Sequence, residues 1–187
     1  MLVMTFNLRF ANPTDGANEW QFRKDLVVDL IRRHAPDLLA TQEGTVPMLR
    51  FLEAQLAEYL PLTAHRQVDE TCQYPTSFYR AGRFVVKESG EFWLSQTPEV
   101  HRSLSWGSAY PRLATFGLFQ AAGQTGPFYF INTHLDNISA RARLEGARID
   151  WILVTPPFRV RRVAIVTDHQ DKRYPSDHFP YEAEVDY

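Results

Sequence analysis

The chain has 187 residues, 44% hydrophobic and 22% charged, which suits one soluble globular domain spanning residues 1–187 with a sizeable core. Its formal net charge of −2 argues against a strongly basic nucleic-acid footprint. Cys72 is the single cysteine, so an intrachain disulfide and a multi-Cys zinc site are excluded, and no apolar run approaches the ~18–20 residues of a membrane span. Met1-Leu2-Val3 runs straight into a strand pattern with no basic leader region, so the expected location is the cytoplasm.

In chain order, Leu2 to Phe10 reads as a strand, and Ala11 to Ala17, rich in Asn, Pro, Asp and Gly, reads as a loop. Trp20 to His34 reads as a helix whose Leu26, Leu30 and Ile31 form an apolar stripe, with Pro36 stopping it. Asp37 to Gln42 is a short apolar strand. A second helix is expected from Val46 to Tyr59, with Pro47 suited to its first turn and Leu49, Leu52 and Leu56 facing one way. The rest is β-rich. Strands are expected at Leu60–Ala64, Ser77–Tyr79, Phe84–Glu91, Ala114–Ala121, Phe128–Thr133, Asp150–Val154, Arg162–Val166 and Tyr181–Val185. This count points to an α+β fold with two sheets packed face to face and helices outside. The polar, helix-prone stretch Ser139 to Gly146 meets the strand around Asp150 with only Gly146-Ala147-Arg148 between, a tight join against typical loops of ~2–6 residues.

Chemistry-bearing residues recur at strand ends. Asn7 follows Met4-Thr5-Phe6, Glu43 follows Ala40-Thr41-Gln42, and His134 and Asp136 follow Phe130-Ile131-Asn132-Thr133. Asp177 and His178 sit in a Pro-Ser-Asp-His-Phe-Pro turn before the last strand. Strand ends and the loops beyond them are where catalytic groups are commonly placed. Taken singly, a strand-end Asn or Asp is ordinarily a turn former. Together, Asn7, Glu43 and Asp177 make a hard oxygen set that suits Mg²⁺ or Mn²⁺ better than zinc. Asp150 stands between Ile149 and Trp151, where an ionised carboxylate needs a partner, and His178 or His134 is the natural one.

The ordered motifs Thr5-Phe6-Asn7, Gln42-Glu43, Thr133-His134-Leu135-Asp136, Ile149-Asp150-Trp151-Ile152 and Ser176-Asp177-His178 resemble the endonuclease/exonuclease/phosphatase superfamily over nearly the whole chain. Trp20 with Arg23, Phe92-Trp93-Leu94-Ser95 and Tyr110-Pro111-Arg112 resemble a bacterial branch of it. The resemblance implies a four-layer αββα sandwich of two mainly antiparallel sheets. It also implies a Mg²⁺- or Mn²⁺-dependent phosphoesterase. In that reading Glu43 is the principal metal ligand, supported by Asn7 and Asp177. His178, oriented by Asp150, contacts the phosphate or helps activate water; His134 stabilises developing charge, and Arg112 contacts phosphate. Asp136 belongs to the His134 motif and is expected to cap the following turn. The family's Gly-Asp-Phe-Asn motif, which positions the nucleophilic water, is absent here. His134 and Asp150 are 16 positions apart, where family members carry several tens of residues. The missing stretch falls at the tight join near 146–149, and a chain continuous through it is expected to show little or no hydrolysis. Many nucleases of the family carry a Glu where Gln73 stands, which weakens the nuclease analogy more than the phosphoesterase one.

The leading expectation is hydrolysis of a small phosphorylated metabolite or a lipid headgroup, by water attacking phosphorus. The Ala11–Glu19 loop and the Phe92–Arg112 segment, with Trp93, Trp106, Tyr110 and Arg112, would shape the pocket; the alternative for these aromatics is to cover the core edge. Two other readings stand beside it: a non-catalytic binding or scaffold protein on the same fold, and a DNA nuclease, for which a more basic surface is expected.

Overall fold

A computed structural model describes residues 1–63, 66–124, 126–135, 152 and 155–186. They build an α+β sandwich of a six-stranded and a three-stranded sheet. In chain order the elements are β1 (Leu2–Asn7), a short 3-10 segment (Pro13–Asn18), α1 (Trp20–His34), β2 (Leu38–Gly44), α2 (Val46–Gln55), β3 (Tyr59–Pro61) and β4 (Tyr74–Arg80). Then come β5 (Phe84–Trp93), β6 (Leu113–Ala121), β7 (Phe128–Thr133), β8 (Arg159–Ile165) and β9 (Tyr181–Asp186). The large sheet runs β3-β4-β2-β1-β9-β8 and the small one β5-β6-β7. Only the central β1–β2 pair is parallel; the other pairings are antiparallel.

The two-residue strand period sorts side chains between two cores. Met4, Phe6 and Leu39 face α1 and α2, packing with Val27, Ile31, Met48 and Leu52. Val3, Leu38 and Val185 face the small sheet and meet Phe84, Phe119 and Phe128, with Ile152 and Phe158 against them. Phe119 stacks on Phe128 at 5.9 Å, and Phe158 meets Phe128 edge-on at 5.2 Å. Both α-helices therefore serve the large sheet. Among the described residues no helix covers the outer face of the small one.

Several boundaries differ from expectation. The apolar stripe of α1 is rotated: Arg23, Val27, Val28, Leu30 and Ile31 are buried, while Leu26 is half-buried. The second helix ends at Gln55, because Leu56 leaves helical geometry (φ −109°, ψ 62°) and Tyr59 pairs with Arg80 instead. β1 stops at Asn7 rather than Phe10, since Arg9 adopts a left-handed backbone (φ 53°). β8 begins at Arg159 and is exposed at every residue except the half-buried Ala164, as the edge strand of the wider sheet. The expected strand at Asp150–Val154 and the join at Ala147–Arg148 fall outside the described residues, save Ile152, which belongs to no strand. No helix among the described residues is long and apolar enough to cross a membrane.

Candidate functional site

β1 and β2 run side by side and in parallel, with Asn7 opposite Gln42, so Asn7 and Glu43 emerge at the same end of the large sheet. Glu43 does not simply continue the strand. It sits at an irregularity in the β2–β4 register between Thr41 and Gly44, with φ 61°. A bulge re-aims a side chain, and a left-handed backbone at a non-glycine residue is held only by surrounding structure. Here Asn7 Nδ2 donates to Glu43 Oε1 at 2.9 Å and the Phe10 amide donates to Oε2 at 3.0 Å. The Arg9 amide donates to Asn7 Oδ1 at 2.9 Å, which fixes the orientation of the Asn7 amide.

The small sheet delivers His134, just past β7. Its register against the large sheet is set by a buried amide link. Gln42 Nε2 donates to Asn132 Oδ1 at 2.9 Å, and Asn132 Nδ2 donates to the Thr41 carbonyl at 3.0 Å. Two residues beyond Asn132, the His134 ring meets both sides. Arg112 Nη1 lies 3.3 Å from Nδ1, and Glu43 Oε1 lies 3.7 Å from Nε2. A guanidinium can only donate, so Nδ1 accepts and the neutral ring carries its proton on Nε2, facing the carboxylate. Arg112 also lies over the Tyr110 ring at 5.6 Å.

Asp177 and His178 arrive on the turn before β9. Ser176 Oγ donates to the Asn7 carbonyl at 2.7 Å and accepts from the His178 amide at 3.2 Å, anchoring this turn to the end of β1. Asp177 reaches the cluster through Arg9, whose Nη1 lies 2.9 Å from Asp177 Oδ2 while its Nε pairs with Asp15 Oδ2 at 2.7 Å. The hydrogen bond to Asp15 and the nearby charges of Asp177 and Glu43 outweigh burial and raise the Arg9 pKa. The same hydrogen bond lowers that of Asp15.

Behind these loops stands Arg23, 3% exposed. All five of its N–H donors go to backbone carbonyls: Nε to Asn18, Nη1 to Leu8 and Pro175, Nη2 to Arg9 and Phe10. The guanidinium also lies over the Trp20 ring at 5.2 Å. Burial, then the charge of Arg9, pushes its pKa down to about 10. It therefore stays charged at neutral pH and ties the loop after β1 to the Asp177–His178 turn.

Asn7, Glu43, His134 and Arg112 thus meet directly, and Asp177 and His178 are joined to them through Arg9 and Ser176. Asp150 and Asp136 lie outside the described residues. Gln73 is exposed, and Glu43 and Arg112 are among the residues that meet the His134 ring. Trp93 is buried edge-on against His101, which is the core-edge role, whereas Trp106 and Tyr110 stay exposed. Reading the sequence missed Arg9, Asp15, the Gln42–Asn132 link and the bracing role of Arg23. For Arg23 a signal existed, since it lies four residues before Val27 on the buried stripe of α1.

Among the described residues no group of three or more His, Cys, Asp or Glu stands close enough to hold a metal ion. The donor set of Asn7, Glu43 and Asp177 is of another kind, with two carboxylates and an amide. Each Glu43 oxygen takes one N–H donor and keeps a further lone pair, and Asp177 already faces a cation, the Arg9 guanidinium. Carboxylate and amide oxygens are the donor types that suit a hard divalent ion.

A family model described as the endonuclease/exonuclease/phosphatase family matches residues 4–116. No curated protein matches the sequence. Several solved structures are similar over the length of the chain. One is a functionally unknown conserved protein from Enterococcus faecalis, at 29% identity and TM-score 0.90, covering 100% of this chain and 99% of that one. Another is an endonuclease/exonuclease/phosphatase family protein from Bacteroides thetaiotaomicron, at 25% identity and TM-score 0.87, covering 99% and 97%. A third is a mannosyl-6-phosphatase from the same organism, at 24% identity and TM-score 0.89, covering 100% of both chains.

Proposed function

The chain belongs to the endonuclease/exonuclease/phosphatase family, and on that premise we propose that it binds Mg²⁺ or Mn²⁺ at Glu43 and directs hydrolysis of a small phosphorylated substrate. The observation that carries this reading is the contact of Asn7 and His134 with one carboxylate, Glu43, across the ends of the two sheets.

In this reading Glu43, Asn7 and Asp177 hold the cation, which supplies charge for a phosphoryl oxygen and for the attacking water when bound. Arg112 offers a guanidinium fork to phosphate and, through Nδ1, fixes the His134 tautomer. The Nε2–H of His134 can then donate to an oxygen on which negative charge develops. His178, with Asp150, manages the proton of the water. Exposed Tyr110, whose ring lies under the Arg112 guanidinium, suits a sugar or other organic group attached to the phosphate. The mild acidity of the chain favours such a substrate, or a lipid headgroup, over bulk DNA. The mannosyl-6-phosphatase neighbour supports a phosphorylated sugar as the first class to try.

The test is hydrolysis of p-nitrophenyl phosphate, bis(p-nitrophenyl) phosphate and mannose 6-phosphate during a Mg²⁺ or Mn²⁺ titration. Any metal-dependent turnover should fall about 10²-fold or more in Glu43→Ala; turnover indifferent to that change refutes the metal assignment. A second reading, ligand binding without turnover, is favoured by the absent Gly-Asp-Phe-Asn motif. It takes over if Mn²⁺ binds through Glu43 while none of the three substrates is cleaved.

A further inference from the structure

The metal-binding reading of Glu43, Asn7 and Asp177 does not account for a positive charge that already stands among these donors. Arg9 reaches the site from an unusual backbone position. Its φ of 53° turns the chain two residues after Asn7, and its carbonyl is gripped by Arg23, so the base of the side chain is held in place. The guanidinium makes two ion pairs of different quality. Nε meets Asp15, whose side chain is 9% exposed, at 2.7 Å. Nη1 meets Asp177, whose side chain is 48% exposed, at 2.9 Å. Asp15 is also the nearer in sequence and lies in the short Pro13–Asn18 segment that precedes α1. An exposed ion pair is weak and easily exchanged, whereas one sheltered from water is retained. The Asp15 contact is thus the pivot and the Asp177 contact is the one that can open.

We propose that Arg9 is a resident counter-ion of the site, holding Asp177 when no divalent cation is bound and yielding that carboxylate to the cation while Asp15 keeps its grip on Nε. This rests on the metal reading given above. The charge logic is simple. The negative charges of Glu43 and Asp177 both act on Arg9, and a fixed monovalent guanidinium offsets their mutual repulsion when no divalent ion is bound. A divalent ion offers twice the charge to the same oxygens and displaces it. The arrangement keeps the carboxylates gathered at the cost of affinity, because the ion must compete with Arg9 and then sit beside it. A single positive charge about 6 Å from a divalent ion, in a water-like dielectric, is worth roughly a factor of ten in affinity.

The experiment measures Mn²⁺ binding to the full chain by calorimetry and by loss of the free-ion paramagnetic resonance signal, with no turnover involved. Arg9→Met and Arg9→Gln are expected to bind Mn²⁺ about tenfold more tightly than the parent, and Arg9→Lys to stay close to it. Weaker or unchanged Mn²⁺ binding in both neutral variants, at parental melting temperature, overturns the counter-ion role. Should the neutral variants not fold, the parent protein decides it. Mn²⁺ is expected to speed phenylglyoxal modification of Arg9, followed by peptide mass mapping, and an unchanged or slower rate overturns the proposal. Glu43→Ala separates the two levels: parent binding that survives this change refutes the metal reading itself, and the Arg9 role falls with it.

Discussion

Replacing Arg23 by Met removes a buried guanidinium while keeping most of its aliphatic stem. Five backbone carbonyls lose a donor, and those of Leu8 and Pro175 lose it in fully buried surroundings. An unsatisfied buried acceptor costs about 1–3 kcal/mol, so these two account for roughly 2–6 kcal/mol. The lost contact with the Trp20 ring adds about 0.5–1 kcal/mol. Against this stands relief from burying a charge, the effect that pushes the Arg23 pKa down to about 10. A net loss of about 3–5 kcal/mol follows, the usual scale for breaking a buried charged network. At ~2–4 °C per kcal/mol for a chain of this size, the melting temperature should fall by roughly 6–20 °C. Thermal unfolding followed by circular dichroism reads this directly. Hydrogen exchange adds a local test: the Arg9 and Phe10 amides, which hold Asn7 and Glu43, should lose more protection than the β5–β6 ladder. Arg23→Lys keeps the charge but only three donors and should fall in between. An Arg23→Met protein melting within ~2 °C of the parent, with both amides still protected, would show that these carbonyls do not depend on Arg23.

Asn132→Leu should cost about 2–4 kcal/mol, because Gln42 and the Thr41 carbonyl lose buried partners; urea unfolding checks it, and a midpoint equal to the parent's would refute the inter-sheet role. Asp15→Asn should flatten the acid limb of stability. Arg9 holds the folded Asp15 carboxyl below its ordinary 3.8, so the unfolded chain binds the proton first. That contribution is complete above pH 3.8 and is lost as pH falls through the lowered folded value. Melting temperatures between about pH 5 and 2 should therefore drop less in Asp15→Asn than in the parent, and superimposable curves would refute the assignment.

How far these features could be read without a structure depends on how local their causes are. Helix α1 is where its sequence places it, because its 3.6-residue pattern, its Arg32-Arg33-His34 end and Pro36 are all local signals. The ends of β1 and α2 are set elsewhere. Arg23, on α1, takes the carbonyls of Leu8, Arg9 and Phe10, and Tyr59 leaves helix for a pairing with β4. Asn7, Glu43, His134, Asp177 and His178 could be picked out because each follows or precedes a strand in recognisable order. The left-handed backbone at Glu43 and Arg9 could not, since it is imposed by partners from three elements. The Gln42–Asn132 link was equally hidden, since nothing in either strand states which face will meet the other sheet.

The division of labour between the sheets bears on what survives in a chain without the Gly-Asp-Phe-Asn motif. The large sheet and its loops carry Asn7, Glu43, Arg9, Asp177 and His178, braced by Arg23 and Ser176. The small sheet brings Arg112 and His134, and among the described residues no strand follows β7 within it. The proposed cation donors therefore all belong to the better-braced side. Arg112 and His134, which would meet phosphate, depend on the small sheet, and His178 would act with Asp150, which lies outside the described residues. Metal affinity and turnover should accordingly come apart. Asn132→Leu, which loosens the small sheet against the large one, should lower phosphoester turnover far more than it weakens Mn²⁺ binding. Equal losses in both would mean that the two sheets build the cation site together, through the contact of His134 with Glu43.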